Sequence, residues 1–382
     1  MRIHFNGSSG PTLGVEVELQ IIDSETRNLV SGAPRILERV GDISHVKPEL
    51  IESTIELNTD VCDGLPAVRR ELSDRFRSLL TLCDELGYEL AATGTHPFSR
   101  WAEQEITDKE RYHLLVNRCQ WPARRLMIFG LHVHVGIESG EKAIAIFNSL
   151  STFISHLLAL SASSPFFEGE ETGLSSCRVK IFESLPTAGL PYRLPNWAEF
   201  QRLMITLVNA DAIESVREIW WDIRPHPDFG TVEVRICDGL ATLDEILAMT
   251  AMIQALVVWL GEQYDEGEYL PLQRYWIVRE NKWRASRWAL DAKVIIDEEG
   301  RLEALSESID RLLDSLEPVS KRLGSHAELM HVRQMMATGP SYARQRRVYA
   351  ETGDFREVVG SVVDELRGSI PAAAPAADAE PR

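Results

Sequence analysis

Cysteine is scarce in this chain of 382 residues: Cys62, Cys83, Cys119, Cys177 and Cys237 make an odd five, with no C-x-x-C pair. That pattern excludes a disulfide framework and a zinc cluster of paired thiols, leaving buried thiols of a reducing compartment. Long apolar runs are missing too. No stretch approaches the roughly 18 apolar residues that a membrane helix needs, and the leading MRIHFNGSSGPTLG has no apolar signal core; a cytoplasmic protein with no membrane partner is expected. Positive charge is in deficit, with 40 Lys+Arg against 58 Asp+Glu for a net −18, so nucleic acid is a poor partner. Neither G-x-x-x-x-G-K-[ST] nor a useful G-x-G-x-x-G occurs, which removes P-loop and Rossmann nucleotide sites. No repeat appears at solenoid or propeller periods.

The remainder reads as an ordinary globular chain, 44% hydrophobic and 26% charged. No linker-like break in composition appears before residue 368, so residues 1–368 are expected to form one domain. The Ala/Pro-rich residues 369–382, SIPAAAPAADAEPR without Ser369's predecessor glycine, have little to bury and are expected to be a disordered tail.

Apolar residues three and four apart predict amphipathic covering helices over 65–86, 144–162, 197–209, 243–260 and 302–323. Asp63 and Pro66 mark the start of the first. Between them lie four strands of strict alternation. Residues 14–21 place Val15, Val17, Leu19 and Ile21 opposite Glu16, Glu18 and Gln20. Residues 50–58 place Ile51, Ile55 and Leu57 opposite Glu52, Thr54, Glu56 and Asn58. In 131–135, His132 and His134 oppose Leu131, Val133 and Val135; in 231–236, Glu233 and Arg235 oppose Val232, Val234 and Ile236. Each strand therefore has one apolar face for a helical layer and one polar face. The fold class expected is α+β: a sheet with helices on its apolar side and an open polar side.

If those polar faces share one sheet, Glu16, Glu18, Glu52, Glu56 and Glu233 gather, because neighbouring strands lie about 4.8 Å apart. Two carboxylates ~6 Å apart repel by roughly 3 kcal/mol at an effective dielectric near 20. Hard divalent cations compensate such a cluster directly, with His132 or His134 as a nitrogen ligand and Arg235 as a fixed positive charge. The bland reading is that four amphipathic strands merely face water; the near absence of lysine from these faces weighs against it. Magnesium binds through a few carboxylates plus substrate phosphates, which makes a nucleotide the natural companion.

Six strings in chain order then carry a resemblance: LGVEVEL (13–19), ELIESTIELNT (49–59), GLHVHVG (130–136), SSPFFEGEETGLSSCRVKIFESLPTAGLP (163–191), WWDIRPHPDFGTVEVRICD (220–238) and RENKWRASRWALDA (279–292). Together they resemble the carboxylate–amine ligases of glutamate-cysteine ligase family 2, over about residues 10–360. The resemblance implies a glutamine-synthetase-like curved, mainly antiparallel sheet. It also implies ATP and Mg2+ (or Mn2+) as cofactors, phosphorylation of a carboxylate such as glutamate, and displacement of phosphate by an amine such as cysteine. Carried over by motif, Glu16, Glu18, Glu56 with Glu52 or Glu49, His132 and Glu233 would hold metal, and Arg235 would steady the γ-phosphate. Glu49 ranks below Glu52 because its parity on a strand over 50–58 is wrong. The resemblance further implies a homodimer.

Other residues are expected near nucleotide or substrate: Arg178 and Lys180, which share parity if 176–181 is a strand; Arg284 and Arg287, three apart on a helix; and Arg224, His226 and His134. Solvated faces and surface salt bridges are the alternatives for the first two pairs. His96 reads as a turn residue, and Trp220, Trp221, Trp283 and Trp288 as core aromatics. A mobile cover over the site is expected at 168–176, to keep water from an activated carboxylate. Two rival functions stand beside the ligase: a metal-dependent amidohydrolase, since His-x-His on a strand occurs there too, and a relative that binds ATP and metal without turnover.

Overall fold

The computed structural model describes residues 3–40 and 45–372. Its centre is a seven-stranded sheet formed by β1 (Leu13–Asp23), β2 (Val46–Pro48), β3 (Thr54–Asn58), β4 (Tyr88–Ala91), β5 (Leu131–Gly136), β6 (Ile223–His226) and β7 (Thr231–Val234). The order is β6-β7-β5-β1-β3-β2, with β4 also on β1, and every pairing is antiparallel. β1 bridges the sheet because its 11 residues are enough to pair with β5 through one half and β4 through the other.

The alternation in β1 does what its sequence requires. Leu13, Val15, Val17, Leu19 and Ile21 are buried in the main core, while Glu16 and Glu18 keep partial access to solvent on the other face. Burying each such aliphatic side chain contributes about 1.5–3 kcal/mol. A one-residue slip would exchange these faces, so the pattern fixes the register. Helix Leu65–Leu86 packs on β1 and β4, and helix Leu243–Asp265 on β5. The first starts with Gly64 at its cap position, not Asp63, and Pro66 in the first turn; it ends at Gly87, whose left-handed φ of 76° lets its N–H reach Asp84 and Cys83 carbonyls.

Helix Leu243–Asp265 is not amphipathic. It is buried almost all round, enclosed by helices Leu65–Leu86, Gly140–Leu150, Leu305–Leu323 and His326–Thr338. The expected helix over 144–162 is two helices, Gly140–Leu150 and Ile154–Ser161, joined by a tight turn. By length and composition, Gly140–Ser161 and Leu243–Asp265 would suffice to cross a membrane, contrary to the sequence reading; 78% and 83% of their most apolar windows are buried inside the fold, so both are core helices.

Three local expectations fail. Residues 50–53 are a turn, so the strand begins only at Thr54. Residues 302–304 form a strand paired with Lys293–Ile295, and the helix starts at Leu305. Arg178–Phe182 is a helix, not a strand. The final helix, Phe355–Ser369, is tied down where the Ser369 hydroxyl accepts from the Leu243 N–H; of the expected tail, residues 373–382 lie outside the described residues.

Candidate active site

The register aligns the polar side chains in rows across the sheet. Glu16 on β1 sits between Asn58 on β3 and His132 on β5. Glu18 pairs with Glu56. His134 pairs with Glu233, which in turn pairs with Arg224. Arg235 follows β7 immediately. Two triads, Glu16–Glu56–His132 and Glu16–His134–Glu233, each bring one ligand atom per residue within 4.8 Å of the others.

His132 Nδ1 lies 3.2 Å from Glu16 Oε2, and its Nε2 lies 3.8 Å from Glu18 Oε1. His134 Nε2 stands 3.7 Å from Glu16 Oε1 and 3.8 Å from Glu233 Oε1, while its Nδ1 meets the Thr231 hydroxyl at 3.0 Å. Glu18 also accepts the Gly130 N–H at 2.5 Å. Glu233 is fully buried and held by two guanidiniums: Arg224 Nε donates at 2.5 Å, and Arg235 Nη1 donates to the other oxygen.

These contacts divide the face electrically. Burial would raise Glu233, but the charges of Arg224 and Arg235 outweigh it and hold the carboxyl well below its ordinary range. Burial likewise opposes ionisation of Glu16, and hydrogen bonds with His132 and His134 overcome it. The opposite holds one strand away. Burial and then the charges of Glu16 and Glu49 push Glu56 well above its ordinary range, while burial and Glu18 push Glu49 up to about 7. Burial and Arg235 lower His132; Glu233 and Glu16 raise His134 against burial. The face is thus split between Glu16 and Glu233, ionised beside imidazoles and guanidiniums, and Glu49 and Glu56, whose charged forms are disfavoured by burial and neighbouring carboxylates.

A model of "Glutamate-cysteine ligase family 2(GCS2)" matches residues 12–361. The chain belongs to glutamate-cysteine ligase family 2. It is 46% identical over 381 residues to "Putative glutamate--cysteine ligase 2-1" of Frankia alni, covering 98% of this chain and 100% of that protein. It is 43% identical to "Putative glutamate--cysteine ligase 2" of Thermobifida fusca, covering 97% and 95%. Among solved structures, the fold matches a glutamate–cysteine ligase of Francisella tularensis in complex with AMP, with TM-score 0.65, 12% identity, and 96% and 94% of the two chains covered. It also matches a bifunctional glutathione synthetase of Pasteurella multocida, with TM-score 0.68, 14% identity, and 94% and 53% covered. The architecture is glutamine-synthetase-like, as the sequence resemblance implied.

Within this family member, the structure brings Glu16, Glu18, Glu56, His132, His134, Glu233, Arg224 and Arg235 together and leaves others apart. Glu52 is not on this face. Its main chain pairs with Glu105 and Ala33, and its carboxyl, raised by burial and by Glu105, faces that loop. Glu49 takes its place, because the turn at 50–53 breaks the strand parity that ranked it lower. Arg178 lies beneath the sheet end: its guanidinium donates at 3.4 Å to the Arg235 and Ile236 carbonyls and stands 3.9 Å from Asp238. On a helix Arg178 and Lys180 do not share a face, and Lys180 binds Glu183 at 2.9 Å. Arg284 binds Glu280 and the Lys293 carbonyl, and Arg287 stacks on Trp288. Arg224 is no free substrate contact either, since its Nη1 donates to the Arg217 and Ile219 carbonyls at 3.0 and 2.8 Å.

His96 is the expected turn residue. Its Nδ1 accepts from Phe98 and Ser99 N–H groups, its Nε2 meets the Arg27 carbonyl, and burial lowers it to about 3. Trp283 and Trp288 are 39% and 44% exposed, not core residues. The stretch 168–176 begins in a tight hairpin that pairs Phe166–Phe167 with Glu170–Glu171, and Arg346 ties it down by binding Glu171 and the Leu174 carbonyl. The sequence reading missed Lys282, which is buried and binds Asp222 at 2.6 Å and Glu183 at 2.5 Å. Its position on a helix stripe with Val278, Ala285 and Ser286, all buried, was the available signal. The Asp222 carbonyl accepts the Arg235 N–H at 2.8 Å, so this ion pair supports the site from below.

Proposed function

We propose that this chain is an ATP-dependent carboxylate–amine ligase that activates a carboxylate, glutamate first among candidates, as an acyl phosphate and joins it to an amine such as cysteine. The names of its relatives and the AMP in the Francisella structure support the substrates. The observation that carries the reading is one sheet face holding four mutually repelling carboxylates beside an arginine with a buried, unpaired Nε–H at Arg235.

The donor set fits Mg2+ or Mn2+. Glu16, Glu56 and His132 offer hard oxygens and one imidazole within 4.8 Å, Glu49 and Glu18 add charge beside them, and Asn58 Oδ1 is buried there without a partner. A second set uses Glu16, His134 and Glu233. Bound divalent ions would neutralise the phosphates of ATP and make the γ-phosphorus more electrophilic. The chain's own residues do the rest. Arg224 and Glu233 fix the Arg235 guanidinium from one side and its peptide is fixed by Asp222 and Arg178 from the other. Arg235 is thereby pre-organised to stabilise charge on the transferring phosphoryl group. The substrate carboxylate attacks the γ-phosphorus and ADP leaves; the amine then attacks the acyl carbon and phosphate leaves.

The test is ADP release across a matrix of carboxylates and amines with magnesium. The ligase reading predicts ADP and amide in equal amounts from at least one pair. Metal-dependent amide hydrolysis without ADP would identify an amidohydrolase. ATP and metal binding without product from any pair would identify a silent relative.

A further inference from the structure

A cavity of about 470 Å³, sharing no residue with the catalytic face, lies between the end of helix Gly140–Leu150, the loop 190–193 and the start of helix Tyr275–Trp288. The segments around it are pinned, so its shape is preformed. Asn148 clasps the Leu194 main chain twice, its Nδ2 donating to the carbonyl at 2.6 Å and its Oδ1 accepting the N–H at 3.0 Å. The Ser149 hydroxyl donates to the Pro271 carbonyl at 2.7 Å, and Arg274 binds Glu298 at 2.7 Å on the rim.

Its volume falls within the roughly 300–1,000 Å³ of small-molecule sites, and three features converge on it. Tyr275 and Trp276 line it beside Leu190 and Pro191, yet are 45% and 55% exposed; a fixed apolar cleft left in water is where a flat ring gains by burial. Gln273 lines it with a buried Oε1 that no donor meets, while its Nε2 turns to the Ile295 carbonyl at 3.5 Å. A buried acceptor in that state calls for an N–H. Arg193 is in the lining and exposed, and no carboxylate among the described residues meets its guanidinium. In a chain with 58 acidic residues against 40 basic ones, an arginine without a counter-charge at a cleft marks a place for an anion. We infer that this cavity is a ligand site separate from the catalytic face, for a small planar aromatic acid that carries a ring N–H. The ring lies on Trp276, the N–H donates to Gln273 Oε1, and the carboxylate meets Arg193.

A nucleotide is a poorer occupant, because its phosphates need more cations than the lining leaves free: Arg274 is already paired with Glu298. A second copy of the chain is the rival, since exposed aromatic rings also mark protein interfaces. The concave shape, the orphan acceptor and the single free cation favour the small molecule. No residue of the catalytic face takes part, so the assignment stands or falls apart from the ligase reading.

The test is calorimetric titration of the full chain with indole-3-acetate, which has all three parts, with indole-3-acetamide, which lacks the charge, and with naphthalene-1-acetate, which lacks the N–H. Indole-3-acetate should bind with Kd below about 1 mM, and each of the other two about tenfold more weakly. Trp276→Ala, at a ring more than half exposed and so with little cost to the core, should weaken indole-3-acetate about tenfold or more. Arg193→Gln should bring it to the level of the amide and leave the amide unchanged. Arg235→Ala should leave binding as it is, because that arginine belongs to the other face. No binding to wild type, binding that neither Trp276→Ala nor Arg193→Gln alters, or binding lost in Arg235→Ala would each overturn the assignment. So would a dimer in analytical ultracentrifugation that Trp276→Ala dissociates, which would make the aromatic rim a contact between copies.

Discussion

Replacing Glu49 by glutamine in the metal-free protein isolates the electrostatic argument in one measurement. Burial and the Glu18 charge raise this carboxyl from the ordinary 4.5 to about 7, which at 1.36 kcal/mol per pH unit corresponds to about 3 kcal/mol against the charged form. Because the folded state holds this proton to higher pH than the unfolded state, its stabilising contribution is present below about pH 4.5 and is lost as pH rises through about 7. Glutamine removes that loss. At about pH 8 Glu49→Gln should therefore be more stable than wild type by up to about 3 kcal/mol, and at about pH 5 the two should differ by less than about 1 kcal/mol. With about 2.1 cal/mol/K of unfolding entropy per residue, a chain of 382 residues changes Tm by about 4 °C for 3 kcal/mol. Thermal unfolding followed by circular dichroism in chelator across that pH range is the assay. A Tm difference that stays constant with pH, or a variant less stable at the alkaline end, would refute the reasoning.

Arg235→Ala should lower kcat by about 10² or more with intact folding, as loss of transition-state electrostatics typically does; steady-state kinetics and circular dichroism check both parts. Glu233→Gln should destabilise the fold by about 3–5 kcal/mol, because Arg224 and Arg235 lose a buried counter-charge; denaturant unfolding reads it, and an unchanged midpoint would contradict the pairing. Lys282→Met should act likewise, leaving Asp222 and Glu183 without their shared cation, and denaturant midpoints measured with and without the substitution decide it.

Glu233 illustrates where sequence reading stopped. Alternation alone placed it opposite Val232 and Val234, and its register beside His134 followed once the sheet formed. Repulsion among glutamates alone makes its replacement by glutamine a relief of strain. The structure shows two guanidiniums on it, one of them from Arg224 on the neighbouring strand β6, so the sign of the effect reverses. Side-chain alternation on β1, β3, β5 and β7 was legible because period-two patterns decide which face meets the core. The turn at 50–53 was not, because Glu52 and Ser53 keep the same alternation while the chain bends there to pair with Glu105; parity then chose Glu52 over Glu49 wrongly. The helix at Arg178–Phe182 was missed for a related reason: five residues are too short for helical periodicity to separate from alternation. Lys282 shows the reverse case, a charged residue on a buried stripe whose partner 60 residues away no local pattern announces.

The central claim is that carboxylates from β1 and β3, with an imidazole from β5, form a divalent-metal site at the heart of an ATP-using face. Crystals soaked with Mn2+ and an ATP analogue, measured at the manganese absorption edge, test it directly. An anomalous peak bounded by Glu16, Glu56 and His132 is the predicted result, and no peak on that face with nucleotide bound elsewhere would contradict it.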